Sequence, residues 1–265
     1  KTSDGSISEC RKCHVGTYAS QNASQICTVC PKGKYGIIEG GTSVDVACKN
    51  CSFGSFAQAE GSKECFECPA GSHCNNTGLS IYTLCPAGRY NSYSNQTDCS
   101  DCPAGRYQPS NGSAICEPCP RGKYLDTTGA THDSACMTCP VGKYNNNTGL
   151  GACVTCLLGY VCDAEGLEVG KECPAGTFGE MIQGVTKCTT CPIGTYQSEE
   201  GQASCMDCEV GKFNNDTKGA MSEDVCKPCE VGRYASTTAS TQCQECPPGS
   251  HCPNTTTAEY VSCNA

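Results

Sequence analysis

Large apolar side chains do not gather into long runs in this chain. They recur singly, at one fixed place in a short phrase written fourteen times. The phrase opens at Cys13, Cys30, Cys51, Cys68, Cys85, Cys102, Cys119, Cys139, Cys156, Cys173, Cys191, Cys208, Cys229 and Cys246, and glycine stands three residues after each. Two residues beyond the glycine, eleven of the fourteen units carry a ring: Tyr18, Tyr35, Phe56, Tyr90, Tyr107, Tyr124, Tyr144, Phe178, Tyr196, Phe213 and Tyr234. Polar stretches fill the space to the next cysteine. In nine units proline follows the opening cysteine, which places Pro second and Gly fourth in an expected type I turn. Each phrase therefore reads as a tight turn, in a chain expected to hold little helix. A flat ring beside each disulfide is the main apolar surface available for burial, and Tyr can keep its hydroxyl in water. The expectation is small Tyr/Cys clusters strung along the chain and no large hydrophobic core. The constant offset favours packing over a ligand-binding aromatic ladder.

A longer period lies above the short one. Cys10, Cys13, Cys27 and Cys30 recur 89 residues later as Cys99, Cys102, Cys116 and Cys119, and again as Cys188, Cys191, Cys205 and Cys208. The blocks also end alike, at Cys68, Cys74, Cys85, at Cys156, Cys162, Cys173 and at Cys246, Cys252, Cys263. Three ten-cysteine super-repeats are expected, at 1–98, 99–187 and 188–265, as a one-dimensional array.

Composition narrows the class. Leu, Ile, Val and Phe make 33 of 265 residues, too few for the core of a conventional globular enzyme. Cysteine makes 30, a density associated with secreted disulfide scaffolds in which crosslinks replace the core. The formal charge of -9 is spread without long runs, which argues against nucleic acid or an anionic membrane surface as a partner. No apolar stretch approaches the ~18 residues of a membrane span, and no signal segment opens the chain. A chain that begins at Lys1 without Met is expected to be processed or part of a longer one.

The cysteines admit three chemistries. Cys10, Cys13, Cys27 and Cys30 read as C-x2-C-x13-C-x2-C, close to a four-thiolate zinc spacing. Zinc leaves Cys74 and Cys85 without a role and sets metal sites among glycosylation sequons. A redox dithiol occurs once, at a helix N-terminus, and not in twelve copies. Structural disulfides are therefore expected, with no metal or cofactor beyond N-linked glycans. Spacing does not settle their connectivity, since even four cysteines allow three pairings. If each unit closed its own loop, as Cys13 to Cys27 and Cys30 to Cys48, then Cys10 and Cys263 would be left over. Pairing first to third and second to fourth in each group of four closes every block on itself, and is the scheme expected here. It joins Cys10 to Cys27, Cys13 to Cys30, Cys48 to Cys65, Cys51 to Cys68 and Cys74 to Cys85 in the first block. In the second it joins Cys99 to Cys116, Cys102 to Cys119, Cys136 to Cys153, Cys139 to Cys156 and Cys162 to Cys173. In the third it joins Cys188 to Cys205, Cys191 to Cys208, Cys226 to Cys243, Cys229 to Cys246 and Cys252 to Cys263.

Sequons N-x-[ST] stand at Asn22, Asn50, Asn75, Asn95, Asn111, Asn146, Asn215 and Asn254, all in polar stretches, and mark expected glycosylation sites. Asn50 is the weakest, because its middle residue is Cys51, whose disulfide competes with glycan transfer. His73 and His251 occupy one place in "CPAGSHC" and "CPPGSHC", where the second block has Val161, so they read as substitutes for the packing ring. No carboxylate pair, serine-nucleophile phrase, phosphate-cradling loop or calcium loop supports an enzyme, and none is expected.

The phrase "C-P-x-G-x-Y" with its closing "C-x-x-C" resembles the ephrin-receptor-like cysteine-rich repeat, and more distantly the cysteine-rich modules of the tumour necrosis factor receptor family. The resemblance runs the length of the chain. Its departures are Leu157 and Leu158 and the proline-free units at Glu209 and Glu230. It implies an extended, disulfide-laddered rod of turns and short hairpins, of the kind found in receptor ectodomains and in long surface-glycoprotein arrays. An array needs each module to hand the chain on with one geometry, and the 89-residue spacing is kept to within about a residue. The expected role is an extracellular or cell-surface structural glycoprotein, forming a stalk, coat or filament with copies of itself or with other matrix or surface proteins. The rival is the ligand-binding or adhesive ectodomain of a receptor, with specificity in the longest units, "YGIIEGGTSVDVAC" and "YLDTTGATHDSAC". A third reading, the accessory region of a secreted enzyme, requires a catalytic domain outside this chain.

Overall fold

The computed structural model describes residues 11–22, 24–253 and 255–263. Cys10 and Asn254 lie outside the described residues. The backbone divides into two compact units. One runs to Cys119 and includes Leu125–Cys136 and Gly149–Gly151; the other holds Pro120–Tyr124, Met137–Thr148 and the chain from Ala152 onward.

Among the described residues there are fourteen separate two-stranded antiparallel sheets. Helix among these residues is confined to the four residues Val44–Ala47 and two single 3-10 turns, Asp133–Ala135 and Glu223–Val225. Each hairpin is built from the repeated phrase. In the first compact unit Thr17–Tyr18 pairs with Thr28–Val29, and Arg106–Tyr107 with Glu117–Pro118. In the second, Thr195–Tyr196 pairs with Met206–Asp207. In eleven of the fourteen the leading strand carries the ring and the returning strand ends inside a C-x-x-C. In the other three the leading strand ends in His73, Val161 or His251, and the first cysteine of that C-x-x-C is replaced by Tyr82, Gly170 or Tyr260. One hairpin is longer, Thr177–Ile182 with Val185–Thr190, closed by Gln183 and Gly184 at φ 52° and 81°, the two left-handed seats of a tight hairpin turn.

The turn itself sits one residue later than the sequence suggested. The Lys34 N–H donates to the Pro31 carbonyl at 3.1 Å, so proline is first and Gly33, at φ 81°, is third. A positive φ in third place belongs to a type II turn and excludes type I, which explains why the residue is glycine in every unit.

The disulfides correct the expected pairing. Each unit closes its own loop. In the first compact unit the bonds are Cys13–Cys27, Cys30–Cys48, Cys51–Cys65, Cys68–Cys74, Cys85–Cys99, Cys102–Cys116 and Cys119–Cys136. In the second they are Cys139–Cys153, Cys156–Cys162, Cys173–Cys188, Cys191–Cys205, Cys208–Cys226, Cys229–Cys243 and Cys246–Cys252. Cys74 and Cys162 therefore do not meet Cys85 and Cys173, which join Cys99 and Cys188 of the following block. Cys252 is taken by Cys246, and Cys263 is an exposed free thiol. The physical reason is strand alternation. The two cysteines of a C-x-x-C flank a two-residue strand, so they are three residues apart and face opposite sides. One closes its own hairpin and the other opens the next; both cannot turn to the same neighbour. Closing a loop of 14 residues in this way is worth on the order of 3 kcal/mol in the chain-entropy account.

A second left-handed residue recurs ten places after the opening cysteine, as at Gly61, Gly78, Gly112 and Gly149. Its N–H donates to the cysteine that opens the preceding unit, as from Gly78 to Cys51 at 2.8 Å. Its carbonyl rests on the turn glycine of the unit before that. A Cβ on Gly105 would lie 2.1 Å from the Gly149 oxygen, and one on Gly159, in the second compact unit, 2.0 Å from the Gly201 oxygen. Backbone fills the place of a side chain.

Non-reduced peptide mapping is expected to recover Cys13 joined to Cys27, Cys30 to Cys48 and Cys68 to Cys74; a Cys13 to Cys30 peptide would restore the crossed scheme. Gly105→Ala, at φ 84° and against the Gly149 carbonyl, should lower stability by about 2 kcal/mol or more, read as a lower guanidinium midpoint of the oxidised protein.

Candidate functional site

The recurring chemistry of the chain is concentrated where one unit passes it to the next. The residue six places after each opening cysteine is the centre of this joint. Asn91 is buried there; its carbonyl accepts from the Gly71 N–H of the preceding unit at 2.8 Å, and its N–H donates to the Ser113 carbonyl of the following unit at 3.3 Å. Asn214 does the same in the second compact unit, accepting from Gly194 at 2.8 Å and donating to Ser240 at 3.1 Å. The same seat is filled by Ala57, Gln108, Leu125, Asn145, Gln197 and Ala235, all buried. Cys74, Cys162 and Cys252 also occupy it, which is why their loops span only six residues.

A carboxamide in a buried seat must find partners for its donors and acceptor. Asn91 Nδ2 donates to the carbonyls of Ser72 and Asp98, both at 3.0 Å. Gln108 Nε2 donates to the Ile115 carbonyl at 2.7 Å, and its Oε1 accepts from the Ser110 N–H at 3.0 Å. Asn145 Nδ2 donates to the Lys123 carbonyl, and its Oδ1 accepts from the Asn147 N–H. Each side chain stitches its own loop or the preceding unit.

The rings complete the joint. Tyr18 packs on Cys30 and Cys48, and Phe56 on Cys68 and Cys74. Tyr107 packs on Cys119 and Cys136 with Leu125, and Phe213 on Cys229 and Cys243 with Ala235. The expected Tyr/Cys clusters are present, and the disulfide each ring covers is that of the next unit. Tyr107 ionises above the ordinary phenol range, first because burial disfavours the phenolate and then because Glu117 accepts its hydrogen bond. Tyr160 is also raised, chiefly by the hydrogen bond from its hydroxyl to Glu172 at 3.2 Å. On the hairpin edges, Arg89 pairs with Asp101 at 2.8 Å and Arg233 with Glu245 at 2.9 Å, each directly across the strands.

Sequence reasoning missed the six-place seat and the ten-place glycine. The second had a signal, a glycine ten residues after many opening cysteines. The first had none, since its residue types range from Ala to Gln.

The other candidate residues are scattered over the surface. Asn22, Asn50, Asn75, Asn95, Asn111, Asn146 and Asn215 are all exposed. Asn111 Oδ1 accepts from the Ala87 N–H at 2.8 Å, and Asn95 adopts φ 62° with its Oδ1 against Gly54. His73 is half-buried on its strand, with Nδ1 enclosed. His251 is exposed, so it does not stand in for a buried ring; its Nδ1 lies 3.6 Å from the Cys263 thiol. Among the described residues no group of three or more His, Cys, Asp or Glu is arranged to hold a metal ion. Among those residues, too, no helix is long and apolar enough to cross a membrane. One concavity among the described residues is a groove in the second compact unit, lined by Tyr144, Asn146, Cys156, Leu157, Tyr160, Val169 and Gly170.

In comparisons with known proteins, residues 1–46, 88–136 and 176–226 match the family described as tyrosine-protein kinase ephrin type A/B receptor-like. These segments cover more than half of the chain. No curated protein matches the chain.

In an alkaline absorbance titration Tyr160 should ionise above an ordinary tyrosine, and Glu172→Gln should bring it back towards the ordinary value. A raised phenol favours the protonated fold, so any stabilisation is complete below the unfolded value and fades as pH rises through the folded one. An unchanged Tyr160 titration in the Glu172 variant would show that the hydrogen bond is not the cause.

Proposed function

Because the chain belongs to the tyrosine-protein kinase ephrin type A/B receptor-like family, we propose that it works outside the cell or at its surface as a structural glycoprotein, a disulfide-laddered array forming a stalk, coat or filament. The observation that carries this reading is the sameness of the joint. Turn glycine to six-place seat, ring to next disulfide and ten-place carbonyl to turn glycine recur from unit to unit within each compact unit. A repeated step of constant rotation and rise generates a regular assembly, whereas a ligand site needs a module that differs from its neighbours. The three super-repeats at 1–98, 99–187 and 188–265 are the natural period of that assembly. Its partners are other copies of the chain or other matrix and surface proteins, and its exposed sequons would carry the coat of sugar.

One observation favours the second reading, a receptor ectodomain. The long unit from Cys30 exposes Ile37, Ile38 and Val46 at 46, 40 and 49 %, a small apolar patch beside the helix Val44–Ala47 that is free to meet a ligand.

Electron microscopy of native, non-reduced protein without added partner separates the two. Continuous fibres whose axial period equals one super-repeat or a simple multiple are expected. Separate short particles of one chain's length would favour the receptor reading and direct attention to the patch around Ile37.

A further inference from the structure

The groove beside Asn146 lies where the equivalent places in the other two blocks hold a tyrosine; in the first block a concavity lined by Phe56, Gln58, Phe66 and Pro69 remains beside that tyrosine. In the first block the ring of Phe56 is covered edge-on by Tyr82, with centroids 5.3 Å apart. In the third, Tyr234 is covered by Tyr260, again at 5.3 Å. The corresponding ring of the second block is Tyr144, and the residue that corresponds to Tyr82 and Tyr260 is Gly170. Tyr144 has no such covering ring; it is half-buried and lines a cavity of about 230 Å³. A side chain at Gly170 is not simply absent: a Cβ there would come within 2.9 Å of Cys156 Sγ and 3.1 Å of Tyr160 Cβ. The walls differ in residue type from those of the other blocks. Leu157 and Tyr160 replace Pro69 and Ser72 of the first block and Pro247 and Ser250 of the third. Leu157 and Val169 are 62 % and 66 % exposed, apolar area that a group seated in the groove would take from water.

The rim of this groove carries a sequon that the other blocks lack. Asn146 lies two residues after Tyr144, in Asn146-Asn147-Thr148, where the other blocks have Gln58 and Ser236. Its Oδ1 accepts from Asn147 Nδ2 at 3.2 Å, which leaves its own Nδ2 for attachment. We propose that the first N-acetylglucosamine of a glycan on Asn146 lies in this groove and covers Tyr144, taking the place that Tyr82 and Tyr260 fill by side chain in the other blocks. The missing ring and a sequon at this place occur together in one block and are both absent from the other two.

The chemistry suits a sugar. Attachment forms a bond from Asn146 Nδ2 to the anomeric carbon, breaks that carbon's bond to the diphosphate of a lipid-linked sugar donor and releases one amide proton. One face of the sugar ring presents C–H groups, which complement the negative face of an aromatic ring as an aromatic edge does. The cavity is smaller than the ~300–1,000 Å³ of sites that enclose a drug-sized ligand and fits a single pyranose better than a larger free ligand. Covalent tethering supplies the sugar at high effective concentration, so a modest contact suffices to hold it.

This inference rests on the glycoprotein reading, and the test keeps the two apart. The protein is secreted from a eukaryotic host, trimmed enzymatically to one N-acetylglucosamine per site, and compared with Thr148→Ala, which removes the sequon without touching the groove. Peptide mass spectrometry reports occupancy, and hydrogen exchange reports residues 157–172. The expected result is an occupied Asn146 and exchange slower by about three- to ten-fold in the glycosylated form. Tyr160→Ser, which copies Ser72 and Ser250, should abolish most of that difference while keeping the fold. Asn146→Gln is the second sequon-free control. An occupied Asn146 with equal exchange overturns the inference alone; an unoccupied Asn146 overturns it together with the glycoprotein reading at this site.

Discussion

A carbonyl oxygen lying on the Cα of a turn glycine two units upstream governs the spacing of this protein. At 2.0 and 2.3 Å from the place where a Cβ would stand, the oxygens of Gly78 over Gly33 and of Gly129 over Gly88 leave no room for any side chain. The glycine is required twice, for its left-handed φ and for this approach. Because the contact skips a unit, it ties three consecutive units together. The N–H of the same glycine reaches the six-place seat of the next unit, so a single residue helps to orient both neighbours.

With so little aliphatic side chain, burial is divided into small shares. Each share consists of a disulfide, the ring from the preceding unit and the residue in the six-place seat. Covalent loops limit the unfolded ensemble, and the ring excludes water from the next sulfur pair. The polar residues in the seat serve a different end from the apolar ones. A satisfied carboxamide contributes about 1 kcal/mol per hydrogen bond and penalises any slip that would leave it unpaired, so Asn91, Asn145 and Asn214 act on register more than on net stability.

Function on this scaffold divides in the same way. What is constant transmits geometry along the chain and suits an assembled extracellular structure. What varies is confined to the outer edges: the exposed isoleucines of the Cys30 unit, the sequons, and the groove that replaces Tyr82 and Tyr260 by Gly170. A block can therefore change its surface without altering how it meets its neighbours, because the joint is made mostly of backbone.

Much of this was legible along the chain. The unit boundaries, the turns, the ring at its fixed offset and the absence of a large core all follow from residue types that recur at constant spacing, and the hairpins came with the family resemblance, which rests on the same residues. Connectivity was not legible, because spacing treats all cysteines alike; only the strand between Cys65 and Cys68 turns one towards Cys51 and the other towards Cys74. The turn frame was misplaced by one residue for a related reason, since Pro and Gly preferences fit two frames and the hydrogen bond from Lys34 to Pro31 selects between them. The six-place seat stayed hidden because its selection is for carbonyl and N–H groups that every residue possesses. The sequence by itself determined what each unit is made of and where glycine stands; the tertiary structure decided which units meet, because the hydrogen bonds that join them run between main-chain N–H and carbonyl groups that every residue but proline shares.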